Sequence, residues 1–139
     1  MNGRVFFDTN ILVYANDGSE PAKKGVASAL IRNALKARTA VISVQVLGEF
    51  WVTVTQKIKK PLPKPIAEKE VELFELMEIV DLDFQLFLSA IRIQKMNLLS
   101  YWDSLILAAA DRADCTVLYS EDLNPGQKIR NIEIVNPFR

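Results

Sequence analysis

Short β-branched and aromatic runs alternate along this chain with longer stretches in which apolar residues recur every three or four positions. Val5-Phe6-Phe7 is a brief apolar run that stops at Asp8, and it reads as a buried strand over 5–7. Behind it, NILVYAN reads as a short helix over 10–16. It is opened by Asp8-Thr9-Asn10, whose short polar side chains can accept from the first free N–H groups of a helix. Asp17-Gly18-Ser19 makes a turn. Pro21, with its φ already fixed near the helical value, starts a helix over 21–36 in which Val26, Leu30, Ile31 and Leu35 follow the helical period. Gly25 weakens that helix by about 1 kcal/mol relative to alanine. AVIS forms a second strand over 40–43, and Ser43 is placed to cap a helix over 44–58. Pro61, Pro63 and Pro65 cannot continue a helix, so 59–65 reads as a loop. Helical spacing resumes over 67–77, a brief strand follows at 79–80, and two more helices cover 83–95 and 101–113. A strand at 116–119, a turn at Asn124-Pro125-Gly126 and a last strand at 132–135 complete the pattern.

Strands alternating with helices of ten or more residues imply βαβ units, because parallel neighbours need a crossover connection. The expected fold is therefore α/β, a three-layer α/β/α arrangement with a central, mostly parallel sheet. The loop at 59–65 divides the chain into pieces too short to fold alone, so a single domain over 1–139 is expected. A chain of this size buries roughly 70% of its unfolded surface and needs no disulfide or metal clip to complete a core. In open parallel sheets the ligand crevice lies beyond the carboxyl ends of the strands. Polar residues directly after strands therefore bear most on function.

Composition narrows the chemistry. The 139 residues hold 17 Lys+Arg against 17 Asp+Glu and no histidine. Imidazole acid/base work, Ser-His-Asp and Cys-His catalysis, and zinc sites with imidazole ligands are all excluded. Cys115 is the only cysteine, so neither an internal disulfide nor a thiolate zinc site can form, and beside TVLY it reads as a small buried hydrophobe. The apolar stretch TAVISVQVLG is far shorter than the ~20 residues a bilayer span requires, and the chain opens on a strand rather than a charged leader. A reduced, cytoplasmic setting without membrane attachment is expected. Catalysis must rest on carboxylates, Lys/Arg, hydroxyls or a metal they hold.

Four acids stand where the crevice should be. Asp8 follows the first strand, and Asp122, or its neighbour Glu121, follows the strand at 116–119. Glu49 and Asp103 each lie near the start of a helix. Each has a plain structural reading: Asp8 as a helix cap, Asp103 as a first-turn acid offsetting the helix dipole, and Asp122 as a turn former. Glu49 has one too, within a solvated stripe with Gln45, Thr53 and Gln56. Yet Glu49 and Asp103 are the only charges inside VISVQVLGEFWV and LLSYWDSLILAAA, with no Lys or Arg one helical turn away. Several acids in one crevice repel one another until a cation enters. The cations suited to such oxygens are Mg²⁺ or Mn²⁺, which borrow further oxygens from phosphate. The amide of Asn10 and the hydroxyls of Thr9, Ser43 and Ser120 could orient the carboxylates. A centre of this kind polarises a phosphate oxygen and acidifies a water without any histidine.

FDTNILVYA, SVQVLGEFW, YWDSLILAAA and LYSEDLNPGQ, in that order and across essentially the whole chain, resemble the PIN-domain nucleases, especially the VapC-type toxin ribonucleases. The resemblance implies Asp8, Glu49, Asp103 and Asp122 as the catalytic and metal-holding acids, with Thr9, Asn10 and Ser120 as the supporting hydroxyl and amide positions. It favours Asp122 over Glu121, as the residue two after Ser120. It further implies Mg²⁺- or Mn²⁺-dependent endoribonuclease activity on an RNA substrate, a homodimer, and inhibition by a cognate small antitoxin protein. Phosphate contacts supply much of the affinity for RNA. Lys57, Lys59, Lys60 and Lys64 at the proline-rich loop are candidates, as are Lys23, Lys24, Arg32, Lys36 and Arg38. They read first as a solubilising face balanced by Glu68, Glu70, Glu72 and Glu75. Phe50, Trp51 and Trp102 adjoin the candidate ligands and serve base stacking, core packing or dimer contact. Three rival readings are a phosphate-accepting receiver domain, a haloacid-dehalogenase-like phosphatase and a catalytically idle PIN-like RNA- or partner-binding module. The receiver wants adjacent acids after the first strand, the phosphatase an Asp at position 10. The chain has Thr9-Asn10 there instead, and its full acid set argues against the idle module.

Overall fold

A computed structural model describes residues 3–139. Six strands form one sheet in the order β3-β2-β1-β4-β6-β5: β1 (Arg4–Phe7), β2 (Ala40–Ser43), β3 (Glu78–Val80), β4 (Cys115–Tyr119), β5 (Lys128–Ile129) and β6 (Ile132–Val135). Every pairing is parallel except β5 with β6. The helices are α1 (Thr9–Tyr14), α2 (Pro21–Ala37), α3 (Val44–Val52), α4 (Lys64–Phe74), α5 (Phe84–Met96) and α6 (Tyr101–Arg112). From β1 the chain steps outward to β2 and β3, then crosses back to β4 on the other side of β1. Because such crossovers are right-handed, α1–α4 cover one face of the sheet and α5–α6 the other. All four residues of β2 are buried, as a strand covered on both faces requires. The expected layered α/β architecture is what forms.

The core gathers Phe6, Phe7, Ile42 and Leu118 of the sheet with Ile11, Leu12, Phe50, Phe74, Leu86, Ile93 and Leu107 of the helices. The run Ser104–Ala110 is buried all the way round, which explains why LILAAA shows no polar face. Cys115 is 3% exposed within this core, as its apolar neighbours suggest.

Three local departures from the sequence reading have simple causes. The helix expected over 44–58 is α-helical only to Val52, and Thr53–Lys57 continues as a π-turn closed by the Ile58 N–H on the Thr53 carbonyl at 3.2 Å. Helix α4 starts at Lys64 rather than 67, because Pro65 occupies the first turn, where no N–H is needed, and it ends at Phe74. The short β5 carries too few residues for any periodicity. Its hairpin to β6 follows the expected turn at Asn124-Pro125-Gly126, where Gly126 supplies the left-handed φ of 85°. Among the described residues, no helix is long and apolar enough to cross a membrane.

Candidate active site

The strand order reverses between β1 and β4, and Asp8 and Asp122 follow the carboxyl ends of these two strands. Parallel pairing sets Phe7 beside Tyr119, and the Asp8 N–H donates to the Tyr119 carbonyl at 3.0 Å. The next residues, Asp8 and Ser120, thus leave the sheet side by side. The Ser120 hydroxyl donates to Asp8 Oδ2 at 2.8 Å, and the Thr9 N–H donates to Asp8 Oδ1 at 2.8 Å. Asp8 is therefore the cap of α1 as well as a crevice acid. Ser120 Oγ also accepts the N–H groups of Asp122 (3.2 Å) and Leu123 (3.3 Å), which folds the chain after β4 into a tight turn.

That turn separates the two acids left open by the sequence. Glu121 accepts from Tyr14 Oη and from Lys23 Nζ, both at 2.6 Å, and is tied to α1 and α2. Asp122 accepts from Asn10 Nδ2 at 3.0 Å, while Asn10 Oδ1 receives the Glu121 N–H at 3.3 Å. Glu49 accepts from Thr9 Oγ1 at 2.6 Å and from Gln45 Nε2 at 3.3 Å. Asp103 sits in the first turn of α6, its N–H capped by Ser100 Oγ at 3.1 Å.

Asp8 is 7% exposed, and its carboxyl is pushed up from 3.8 to about 6. Burial is the main cause. Hydrogen bonds from Ser120 and Thr9 pull it down, and the charges of Asp122 and Glu49 push it further up. Burial also raises Asp103, against its contact with Ser100, and again Asp122 and Glu49 add to the rise. Glu121 behaves oppositely: burial pushes it up, but Lys23 and Tyr14 outweigh this and hold it below the usual range. Among the described residues, none of the ion pairs involves Asp8, Glu49, Asp103 or Asp122.

This donor set fits a hard divalent cation: carboxylate oxygens, mutual repulsion and no ion pair to neutralise it. Among the described residues, no three acids stand grouped so that together they could hold a metal ion. Glu49 and Asp122 instead take proton donors from Thr9 and Asn10. Mg²⁺ needs no closed cage, since it keeps several waters and binds through one or two carboxylates together with phosphate oxygens. A cavity of about 710 Å³ opens beside the acids, with Glu49 and Asp122 in its wall and Asp8 and Asp103 outside it.

Two of the expected contributions differ. Ser43 is fully buried and receives the Val46 N–H, so it caps α3 and touches none of the acids. Gln45 is not part of a solvated stripe. It is only 9% exposed, and its Nε2 donates to both Glu49 and the Trp102 carbonyl at 3.3 Å, joining α3 to the start of α6. Its Oε1 is buried without a partner. Tyr14 and Lys23, which fix Glu121, carried no signal in the sequence because both act across long separations. Gln45 did carry one, in its position four residues before Glu49 on the same helix face.

Fold and site together define an α/β domain that collects carboxylates at the switch point of a parallel sheet. Residues 5–128 match the family described as PIN domain, and the chain belongs to that family. Solved structures share the fold. The Mycobacterium tuberculosis toxin VapC20, described as cleaving the sarcin-ricin loop, is 20% identical, with a TM-score of 0.67 over 85% of this chain and 89% of that one. A toxin–antitoxin complex from Klebsiella pneumoniae is 20% identical, with a TM-score of 0.68 over 96% and 97%. VapBC2 from Rickettsia felis, solved with a fragment of promoter DNA, is 22% identical, with a TM-score of 0.64 over 94% and 96%. No curated protein matches the chain significantly in sequence.

Proposed function

We propose that the chain, as a single PIN-like domain over 1–139, is a Mg²⁺- or Mn²⁺-dependent endoribonuclease and the toxin of a toxin–antitoxin pair. One observation carries this reading: acids from four separate segments share one field with no ion pair to offset it, and the most buried, Asp8, has its pKa raised to about 6. Asp8, Glu49, Asp103 and Asp122 would hold the cation. When bound, the cation supplies a Lewis acid for a phosphate oxygen and a water that deprotonates more readily. The chain's own groups do the orienting. Ser120 and the Thr9 N–H fix Asp8, Asn10 fixes Asp122, and Thr9 with Gln45 fixes Glu49. With its pKa raised to about 6, the Asp8 carboxylate is charged at neutral pH only against burial and the repulsion of Asp122 and Glu49, a cost that a bound cation would relieve.

The partners follow the same reading: an RNA substrate, a cognate small antitoxin and a second copy of the chain, in the cytoplasm. The Klebsiella and Rickettsia relatives are described as complexes of toxin with antitoxin, which supports the antitoxin. The homodimer is supported by a row of ring contacts, Phe84–Phe87, Phe87–Tyr101 and Tyr101–Trp102, on a face where Phe84 is 67% and Trp102 61% exposed.

The test is cleavage of single-stranded RNA by the purified chain, with Mg²⁺ or Mn²⁺ and with chelator. Cleavage should require the metal and vanish when Asp8, Glu49 and Asp103 are all changed to Ala. Equal cleavage by that triple variant overturns the mechanism. A short open reading frame beside the gene, with a product that copurifies, would support the antitoxin. A solitary gene with a harmless product counts against it.

A further inference from the structure

Of the two basic runs in the sequence, one is drawn away from the acids. Lys23 is held by Glu121, and Arg38 lines a separate cavity with Arg4 and Glu78. The other run enters the site. Lys57 is the one Lys or Arg in the wall of the cavity that Glu49 and Asp122 line. Among the described residues no ion pair holds it.

The local backbone explains its position. Lys57 lies eight residues after Glu49. In an unbroken α-helix those eight steps of about 100° would turn it about 80° away from the Glu49 face. The π-turn at Thr53–Lys57 closes from i to i+5, rotates less per residue, and brings Lys57 back toward the stripe of Glu49 and Thr53. The Leu62 N–H returns to the Val54 carbonyl at 2.8 Å and pins the following loop against this turn. Eight residues also separate Lys57 from Glu49 by about 12 Å along the axis, too far to share one phosphate group.

We infer that Lys57 is a substrate-positioning residue that holds a phosphate of the RNA strand at some distance from the bond being cleaved. The strand then runs from the acids along α3 and the π-turn toward Lys59 and Lys60. This rests on the ribonuclease reading and adds a direction for the strand and a minimum substrate length.

The experiment compares wild type with Lys57→Ala and Lys57→Arg on a single-stranded RNA oligomer and on a dinucleotide too short to reach position 57. Binding of the labelled oligomer is followed by fluorescence polarisation at several salt concentrations. Lys57→Ala should raise KM on the oligomer about five-fold with kcat little changed. It should flatten the logarithmic salt dependence of binding by about 0.7, the value of one phosphate contact on a single strand. Activity on the dinucleotide should be unchanged, and Lys57→Arg should restore oligomer binding. Unchanged KM and salt dependence, or an equal loss on the dinucleotide, overturns the inference while leaving the ribonuclease reading intact. Failure of the wild type to cut any RNA with Mg²⁺ or Mn²⁺ overturns the ribonuclease reading. Polarisation then decides the Lys57 contact alone, upheld by a Lys57-dependent salt slope and overturned by an identical one.

Discussion

Changing Asp8 to Asn should make the cation-free protein more stable at neutral pH while removing its response to Mg²⁺. Folding raises the Asp8 pKa from 3.8 to about 6, so the folded chain holds this proton more tightly than the unfolded one. The contribution of Asp8 to stability is therefore greatest below about pH 4 and falls as pH rises through about 6. At 1.36 kcal/mol per pH unit, the loss at pH 7 is about 3 kcal/mol. Some of that gain is forfeited in the variant. Its amide can still accept the Thr9 N–H, but its NH₂ would face Ser120 Oγ, which already accepts from Asp122 and Leu123. One lost hydrogen bond costs about 1 kcal/mol. The net gain is about 2 kcal/mol, or about 6 °C in Tm for a chain of this length.

Scanning fluorimetry in chelator, at steps between about pH 4 and about pH 7, reads this directly, because subtracting one melting curve from the other cancels the titrations that Asp8 does not influence. The advantage of Asp8→Asn should be absent at the acid end and complete at the neutral end. Adding Mg²⁺ or Mn²⁺ should then reverse the order. Ligand at 100 times its dissociation constant stabilises the wild type by about 2.7 kcal/mol, whereas the variant should gain little. A variant that melts lower in chelator at every pH would refute the electrostatic burden on Asp8. Equal shifts of both proteins by the metal would put the cation elsewhere.

Asp122→Asn should lower RNA cleavage by about 100-fold, whereas Glu121→Gln should cost a little Tm and less than about tenfold in rate; the opposite order would exchange their roles. Cys115, with its thiol pushed up to about 12 by burial, should resist a disulfide-exchange reagent in the folded protein and react only in denaturant. Rapid labelling of the native chain would contradict the core packing. Replacing Phe84 and Phe87 together by Glu should convert a dimer to a monomer in gel filtration, and a wild type that already elutes as a monomer removes the dimer proposal.

The placement of Asp8 and Asp122 was legible because it follows from chain geometry alone. A residue that ends a parallel strand must leave the sheet at its carboxyl edge, and two adjacent strands bring two such residues together. The alternation of short apolar runs with amphipathic stretches fixed the layers for the same reason. Features set by distant partners were not legible. Glu121 and Asp122 have the same chemistry and adjacent positions. Only Tyr14 and Lys23, on helices about a hundred residues earlier, draw one of them aside. The π-turn at Thr53–Lys57 is equally silent, since TVTQK suits an α-helix as well as it suits a wider turn.

The division of labour between Glu121 and Asp122 also bears on how the site tolerates its own charge. A fifth uncompensated acid would add to the repulsion that already raises Asp8 and Asp103. Pairing Glu121 with Lys23 neutralises it and, through the Asn10 amide that touches both Glu121 and Asp122, fixes the backbone that carries Asp122. The two neighbours thus act oppositely: one anchors the turn through a base, and the other, held only by the neutral Asn10 amide, keeps its charge uncompensated. A Lys23→Met variant tests this, because removing the base releases Glu121 without touching any of the four acids. It should lift the Glu121 pKa from its depressed position toward or above the usual carboxylate range, and loosen metal binding at a site it does not itself line. If metal affinity is unchanged when Glu121 titrates normally, the turn is rigid without its anchor and the coupling between the two acids does not exist.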